Sequence, residues 1–381
     1  MIDELGVLLA HARHVPVPAR VHLAERLRSC RPDGSVLIET CHRVELYAPR
    51  ACLDDLVRAE PMAGVGLEVG GAVARHAIRV AVGRDSAVVA EDQVLHQLRK
   101  GVQDARRRGP LIPGLDRLFD LALHAGRQAR SWLPARRPSL ADVALQEAMG
   151  RGPSRDGPVL VVGAGAMGTL AARAVVAADR PLVLANRTPQ RATRLAAELG
   201  GAMTSLDPGA AELGSFAGVM VALSGPWLLA DASRAALADH GAWIVDLSAP
   251  PAVAEDLSRR LGRRFISIDD LAHGHDRSRP AALLVRLDAL VDETVDTYLE
   301  WAIRERQREA ASVLADRATE ARAMELAALF HRIPALDPAT RAEVERMAER
   351  LSDRLLRRPL ECLQQDDDGR HDRAARELFG L

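Results

Sequence analysis

Cys41 is the strongest candidate nucleophile in this chain. It lies in Thr40-Cys41-His42-Arg43, just after Val36-Leu37-Ile38, an apolar run that reads as a buried strand, and Arg43 follows two residues later. The thiolate is the attacking form of cysteine, and a neighbouring guanidinium favours it. The same thiol also reads as a small buried core residue, because free cysteine is commonly buried. These four residues alone leave both readings open.

A second stretch supplies different chemistry. Gly163-Ala164-Gly165-Ala166-Met167-Gly168 fits GxGxxG between the apolar strand Val159–Val162 and an expected helix from about Met167 to Ala178. In that context the glycines allow a tight turn, a close approach to a pyrophosphate and close helix–strand packing, and the helix N-terminus faces the phosphates. The next strand, Pro181–Ala185, ends in Asn186-Arg187-Thr188 rather than in an acidic residue. A carboxylate there would bind a ribose 2′-hydroxyl and repel a 2′-phosphate. Arg187 can pair with the phosphate and Thr188 can donate to it, so the reading is NADP(H) over NAD(H). The alternative for Arg187 is a surface residue at a helix start.

The elements that must carry these residues fall into three segments. Residues 1–147 mix short strands, at Leu5–Leu9 and Val36–Ile38, with helices at Val73–Val82 and Asp92–Arg107, an α+β pattern. The Gly- and Pro-rich stretch from Arg151 to Pro158 marks a junction. Residues 148–277 alternate strand and helix, with further apolar strands at Val219–Ala222, Trp243–Val245 and Phe265–Ile268. Strands apolar along their whole length indicate a parallel, doubly covered sheet. Residues 278–381 read as helical. Ala281 to Ile333 lacks Pro and Gly, and as one helix it would run about 80 Å, so it must be kinked, broken or used as an extended spine. A second helix is expected over Pro338–Arg358, with Val344, Met347, Leu351 and Leu355 as an apolar stripe. Such elements suit dimerisation, or else a hairpin folded on its own chain. Asp366-Asp367-Asp368 is expected to open a mobile tail.

Composition narrows the function classes. Of 381 residues, 48% are hydrophobic and 27% charged, as in a globular protein, and only 3% are aromatic, so Leu, Val and Ala must fill the cores. A net charge of −1 excludes a global basic field, and a nucleic-acid partner would need local arginine clusters. Candidates are Arg99-Lys100, Arg106–Arg108 and Arg127–Arg137. Cys30, Cys41, Cys52 and Cys362 show no metal-ligand or disulfide spacing, so no metal is expected. No apolar run nears the roughly 20 residues of a membrane span, and no secretory leader is visible, which points to the cytoplasm.

Taken together, the pieces resemble the glutamyl-tRNA reductase family, whose members catalyse the first step of the five-carbon route to 5-aminolevulinate and tetrapyrroles. The family's Ser/Thr-Cys-Asn-Arg signature stands here as Thr40-Cys41-His42-Arg43, followed by Glu45 and Tyr47. Its second signature is similar to Arg79–Ser86 and Ala90–Gln97, and its nucleotide site to Gly163–Gly168 and Ala185–Thr188. Asp246–Pro250 is similar to a further strand end. This chain departs from the family at His42, where asparagine is usual, and at Ala90, where glycine is usual.

The resemblance implies an N-terminal α+β catalytic domain that recognises the glutamyl group, a Rossmann-type NADP-binding domain and a C-terminal helical dimerisation domain. It implies that Cys41 attacks the ester joining glutamate to its tRNA, and that NADPH reduces the resulting thioester to glutamate 1-semialdehyde. Thr40, His42, Arg43, Ser86, Glu91, Asp92, Gln93 and Gln97 would line the glutamate pocket. Arg43 would meet the substrate carboxylate and Glu91 its ammonium, while His76 would assist proton transfer. The implied partners are glutamyl-tRNA(Glu), a second copy of the chain and the aminomutase that consumes the semialdehyde. Two other readings are a shikimate dehydrogenase-like oxidoreductase and a non-catalytic homologue that binds tRNA or a pathway partner. The first normally relies on a Lys–Asp pair, and this chain has Lys100 as its single lysine.

Overall fold

The structure is a computed structural model that describes all residues except 1–3, 41, 87, 134–137, 152–155, 274–280, 367–368 and 380–381. The expectations for Cys41, Asp367, Asp368, part of the 151–158 junction and part of the Arg127–Arg137 cluster therefore lie outside the described residues. The chain divides into two compact units, Asp3–Val295 and Asp296–Leu381.

The first unit begins with an antiparallel sheet of β1 (Leu5–His11), β2 (Val36–Glu39), β3 (Arg43–Pro49) and β4 (Gly66–Val69), in the order β2-β3-β1-β4. β3 is buried along nearly its whole length. Leu8, Leu37, Leu46 and Leu53 meet Leu23 and Leu27 of the helix Val17–Cys30 in one core. Each fully buried leucine of this kind contributes about 1.5–3 kcal/mol. The helices Gly71–Val82 and Asp92–Arg108 match the expected ones, with slightly longer bounds. The latter lies directly on β2: a Cβ at Gly101 would come within 2.8 Å of the Leu37 carbonyl oxygen. That close crossing sets the helix bearing Gln93 and Gln97 beside the strand leading to Thr40.

The same unit contains the expected parallel sheet: β5 (Val159–Val162), β6 (Leu182–Ala185), β7 (Ala202–Met203), β8 (Gly218–Val221), β9 (Trp243–Asp246) and β10 (Phe265–Ser267). Their order is β10-β9-β8-β5-β6-β7, all parallel, so the strand order reverses between β5 and β8. β7 was not legible in sequence because it has two residues, both exposed at the sheet edge. The sheet's two faces bury separate cores, one around Val161, Leu184 and Val245 and the other around Leu160, Val219 and Ile244.

The helix Ala281–Arg332 is continuous over 52 residues, so the expected spine is one unbroken helix of about 78 Å. In the second unit it is followed by Pro338–Gln364, capped by Asp337, whose carboxylate accepts from the backbone N–H groups of Ala339 and Thr340. This helix passes its expected end at Arg358 and continues through Pro359. Leu363, with Leu356 and Leu360, packs on Ala310, Leu314 and Ala375, and that burial holds the helix beyond the proline.

The expected mobile tail is corrected: residues Arg370–Phe379 form a helix. Asp366, 1% exposed, accepts from the Asp372 backbone N–H at 2.8 Å and lies 3.1 Å from His371 Nδ1. Gln307 donates to the Asp366 carbonyl, and Arg306 pairs with Asp372. An acidic residue that caps a helix and is met by buried partners is an ordering device, which acidity in sequence does not reveal. Among the described residues, no helix is long and apolar enough to cross a membrane.

Candidate active site and nucleotide cradle

β2 and β3 are joined by a short connection whose described residues, Thr40 and His42, flank position 41. Thr40 shapes it: its backbone N–H donates to the Arg43 carbonyl at 2.9 Å, and its Oγ1 accepts from the backbone N–H groups of His42 and Arg43 at 3.1 and 3.0 Å. The His42 carbonyl accepts from Ala12 N–H at 2.8 Å, which fastens the turn to the chain leaving β1.

Arg43, Glu45 and Tyr47 follow at two-residue spacing on one face of β3. Glu45, 2% exposed, accepts from Tyr47 Oη at 2.8 Å, lies 3.0 Å from His76 Nε2 and receives Arg43 Nη1 at 3.4 Å. Burial pushes the Glu45 carboxyl up, but the adjacent His76, Arg43 and Tyr47 outweigh it and bring it down to about 2. Burial lowers His76, yet the Glu45 carboxylate more than compensates, so His76 holds its proton above its ordinary pH range. An ionised glutamate thus keeps a histidine charged in a half-buried site.

Thr40, His42, Arg43, Ser86, Glu91, Gln93, Val94 and Gln97 line one small, narrow crevice. Seven of these are residues that the resemblance put in the glutamate pocket. Gln93 and Gln97, four apart on the helix Asp92–Arg108, present to the same side. Glu91 accepts from Leu140 N–H at 3.2 Å, and burial pushes its carboxyl up to about 7. Asp92 stands apart from the cavity: its side chain is 70% exposed and lies 3.4 Å from Arg130 Nε. His76 opens instead onto an adjoining cleft of about 410 Å³, shared with His11, His14, Arg43, Glu45 and Glu68. Burial, with the Arg43 charge second, lowers His11 to about 3, so it is neutral there.

Val94, His11 and the Glu45 network were not assigned from sequence. The signal for Glu45 and Tyr47 was nonetheless present, as polar residues alternating with Val44 and Leu46 in a run too apolar for an exposed strand.

His42, where the family's asparagine is usual, reaches across to the parallel-sheet domain. Its Nε2 lies 3.0 Å from the Ile268 carbonyl oxygen, which can only accept, so Nε2 carries the proton. Burial lowers its pKa to about 4, and the ring is neutral.

The nucleotide cradle lies at the end of β5, beside the switch in strand order. Gly163 has φ +118°, and a Cβ there would meet the Ala222 carbonyl oxygen at 2.2 Å; one at Gly168 would meet the Gly163 carbonyl oxygen at 2.0 Å. At Gly165 a Cβ would have no atom within 4 Å. Two glycines are thus required by packing, and the third leaves open space before the N-terminus of the helix Ala166–Ala177, where a pyrophosphate fits. Ala164 and Met167 are partly buried against the sheet core, and Ala166 opens the helix. Asn186 orders the opposite wall: its Oδ1 accepts from Ala164 N–H at 3.0 Å and its Nδ2 donates to the Thr188 carbonyl at 2.8 Å. Arg187 and Thr188 are exposed.

A doubly wound parallel sheet, a cradle of this kind and a polar pocket built on a separate antiparallel sheet define a nicotinamide-dinucleotide-dependent oxidoreductase. Comparison with known proteins agrees domain by domain. Residues 16–132 match the glutamyl-tRNAGlu reductase N-terminal domain, 146–273 the shikimate/quinate 5-dehydrogenase family, and 286–381 the glutamyl-tRNAGlu reductase dimerisation domain. The chain is 33% identical to a glutamyl-tRNA reductase of Halobacterium salinarum over 91% of its own length and 84% of the relative's. It is also 33% identical to one of Kineococcus radiotolerans, over 86% and 79%. Among solved structures, the glutamyl-tRNA reductase of Methanopyrus kandleri matches 99% of this chain and 98% of its own, with 27% identity and a TM-score of 0.52. The chain belongs to the glutamyl-tRNA reductase family.

Proposed function

We propose that this protein reduces the glutamyl group of glutamyl-tRNA(Glu) to glutamate 1-semialdehyde, with NADPH as cofactor. The observation that carries this reading is the convergence of Thr40, His42, Arg43, Ser86, Glu91, Gln93 and Gln97 on one cavity at the turn that includes Cys41 in its sequence. The Cys41 thiolate attacks the ester carbonyl, the bond to the tRNA 3′ oxygen breaks, and a thioester remains. Charged His76 is suited to supply the proton that the departing oxygen takes up. Arg43 has donors beyond those given to Glu45 and to the Asp85 carbonyl, and these meet the substrate carboxylate. Glu91 ionises fully once an ammonium group arrives beside it. Sulfur donates electrons to a carbonyl less well than oxygen does, so the thioester is the more reducible species. When bound in the cradle, the cofactor supplies the hydride that converts the thioester to the aldehyde and frees the thiol.

An exposed Arg187, with no carboxylate at 186–188, supports NADPH over NADH. Met347, Leu351 and Leu355, each more than half exposed along a groove between the helices Ala281–Arg332 and Pro338–Gln364, support a homodimer. Domain limits of 1–147, 148–277 and 278–381 accord with this division of labour. The free thiols of Cys30, Cys52 and Cys362 support a reducing, cytoplasmic compartment. The reactivity of a free amino aldehyde supports transfer to an aminomutase.

The test is to give purified protein charged glutamyl-tRNA with NADPH or NADH and to follow the semialdehyde. Cys41→Ser should abolish turnover, and retained reduction would overturn the thioester route. Arg187→Asp should lower the preference for NADPH about tenfold or more, the worth of one charge-assisted hydrogen bond.

A further inference from the structure

Two contacts meet at one corner of the nucleotide-binding sheet, where β10 ends and the short helix Ile268–His273 begins. His42 donates from Nε2 to the Ile268 carbonyl, as described above. The next residue, Asp269, accepts from Arg20 Nη2 at 2.8 Å through Oδ1 and from the Val17 backbone N–H at 3.2 Å through Oδ2. Arg20 is 2% exposed and also donates to the Val15 carbonyl at 2.6 Å. Val17 itself belongs to the same buried core as Ile266, Ile268 and Leu271 of this corner. The corner is held in turn by Asp270, whose carboxylate accepts from the Ser267 backbone N–H and hydroxyl, both at 2.8 Å. The N-terminal sheet therefore touches the nucleotide-binding domain through the His42 side chain, one residue beyond Cys41 in sequence, and through the first turn of the helix Val17–Cys30.

We propose that this seam is a latch that positions the 40–43 turn for hydride delivery, with His42 and Asp269 as its positioning residues. The inference rests on the reading that Cys41 carries the acyl group and that the hydride comes from the cofactor in the cradle. Attack on the ester needs only the N-terminal domain. Reduction also needs the thioester carbon to be held against a group bound in the other domain, and small displacements there cost rate steeply. A latch made of a neutral imidazole and a buried guanidinium paired with a partly exposed carboxylate fixes distance and direction, which a purely apolar seam would not. Histidine at position 42 spans to Ile268 with a ring longer than the asparagine side chain usual there.

The latch separates two measurable outcomes of one intermediate. Without reduction, water cleaves the thioester to free glutamate and the thiol; with reduction, semialdehyde forms. Asp269→Ala should leave cofactor-independent glutamate release unchanged and lower semialdehyde formed per glutamate released about tenfold, the worth of one or two buried hydrogen bonds. Asp269→Asn, which keeps an accepting oxygen, should restore most of the ratio, and His42→Leu should lower it. Hydrogen exchange followed by mass spectrometry gives a second readout: Asp269→Ala should speed exchange in peptides covering 12–24 and 36–47, because the Val17 amide loses its acceptor, while the parallel-sheet strands stay protected. Equal exchange in those peptides, or release and reduction falling together, would overturn the latch. The exchange arm needs no substrate, so it tests the seam's contacts even where the assigned reaction fails. A wild-type protein that forms no semialdehyde would overturn the assigned reaction instead.

Discussion

Replacing Glu45 with glutamine tests the electrostatics of the site most directly, because one buried carboxylate holds Arg43, Tyr47 and His76 together. Glutamine keeps the shape and removes the charge. Burial alone would raise the Glu45 carboxyl, but His76, Arg43 and Tyr47 bring it from 4.5 to about 2. At about 1.4 kcal/mol per pH unit, that displacement is worth roughly 3 kcal/mol of stability at neutral pH. A similar cost follows from leaving one partner of a buried ion pair alone, about 3–5 kcal/mol.

The folded value lies below the unfolded one, so this stability is complete above about pH 4.5 and is lost as the pH falls toward 2. His76 has the opposite sign: its contribution is complete below its ordinary 6.5 and is lost as the pH rises through its raised value. For a unit of roughly 290 residues, 3 kcal/mol corresponds to a melting-point drop of about 5 °C. The assay is thermal and urea unfolding of the wild type and Glu45→Gln at several pH values. The deficit should be about 3 kcal/mol at neutral pH and shrink to about 1 kcal/mol near pH 3. Glu45→Gln should also shift the alkaline limb of the activity profile to lower pH, because His76 loses the charge that retains its proton. Equal stability at neutral pH, or a deficit that does not change with pH, would refute this account of the network.

Other substitutions probe the remaining parts. Gly165→Val should leave the melting point within a degree or two, because the position has open space and φ −82°, yet weaken cofactor binding about tenfold or more in a fluorescence titration. Gly163→Val should instead lower the melting point, because of its left-handed φ and the 2.2 Å contact of a Cβ with the Ala222 carbonyl oxygen. Ala90 is fully buried at φ 55°, a conformation that costs a non-glycine residue about 1–2 kcal/mol, so Ala90→Gly should stabilise the protein by up to about 1 kcal/mol in urea unfolding. Leu351→Asp should shift the protein toward monomer in analytical ultracentrifugation while leaving helical circular dichroism unchanged.

Much of the nucleotide cradle was legible in sequence because its function is local. Six consecutive residues between an apolar strand and a helix specify the turn, and Asn186–Thr188 close the next strand. The same holds for the long helix, whose composition leaves nothing to interrupt it. The candidate pocket was legible only through the two family signatures, because Thr40 and Gln97 come together by a helix crossing a strand at Gly101, a contact that leaves no periodic trace. The C-terminal helix was misread because Asp366 looks like solvent-facing charge until Asp372, His371 and Gln307 are seen around it.

The order of residues along the chain therefore carried the candidate motifs that span a few positions: a thiol near a guanidinium in sequence, a glycine turn, an arginine at a strand end. Folding decided which distant groups share one electrostatic environment. His76 and Glu45 are 31 positions apart, and His42 and Ile268 are separated by 226. Proton affinity depends on solvent exclusion and on charges within a few ångströms, whatever their separation in sequence. That is why a histidine at position 42, visible in the sequence only as a departure from its family's asparagine, becomes in the folded chain a neutral donor across a domain seam.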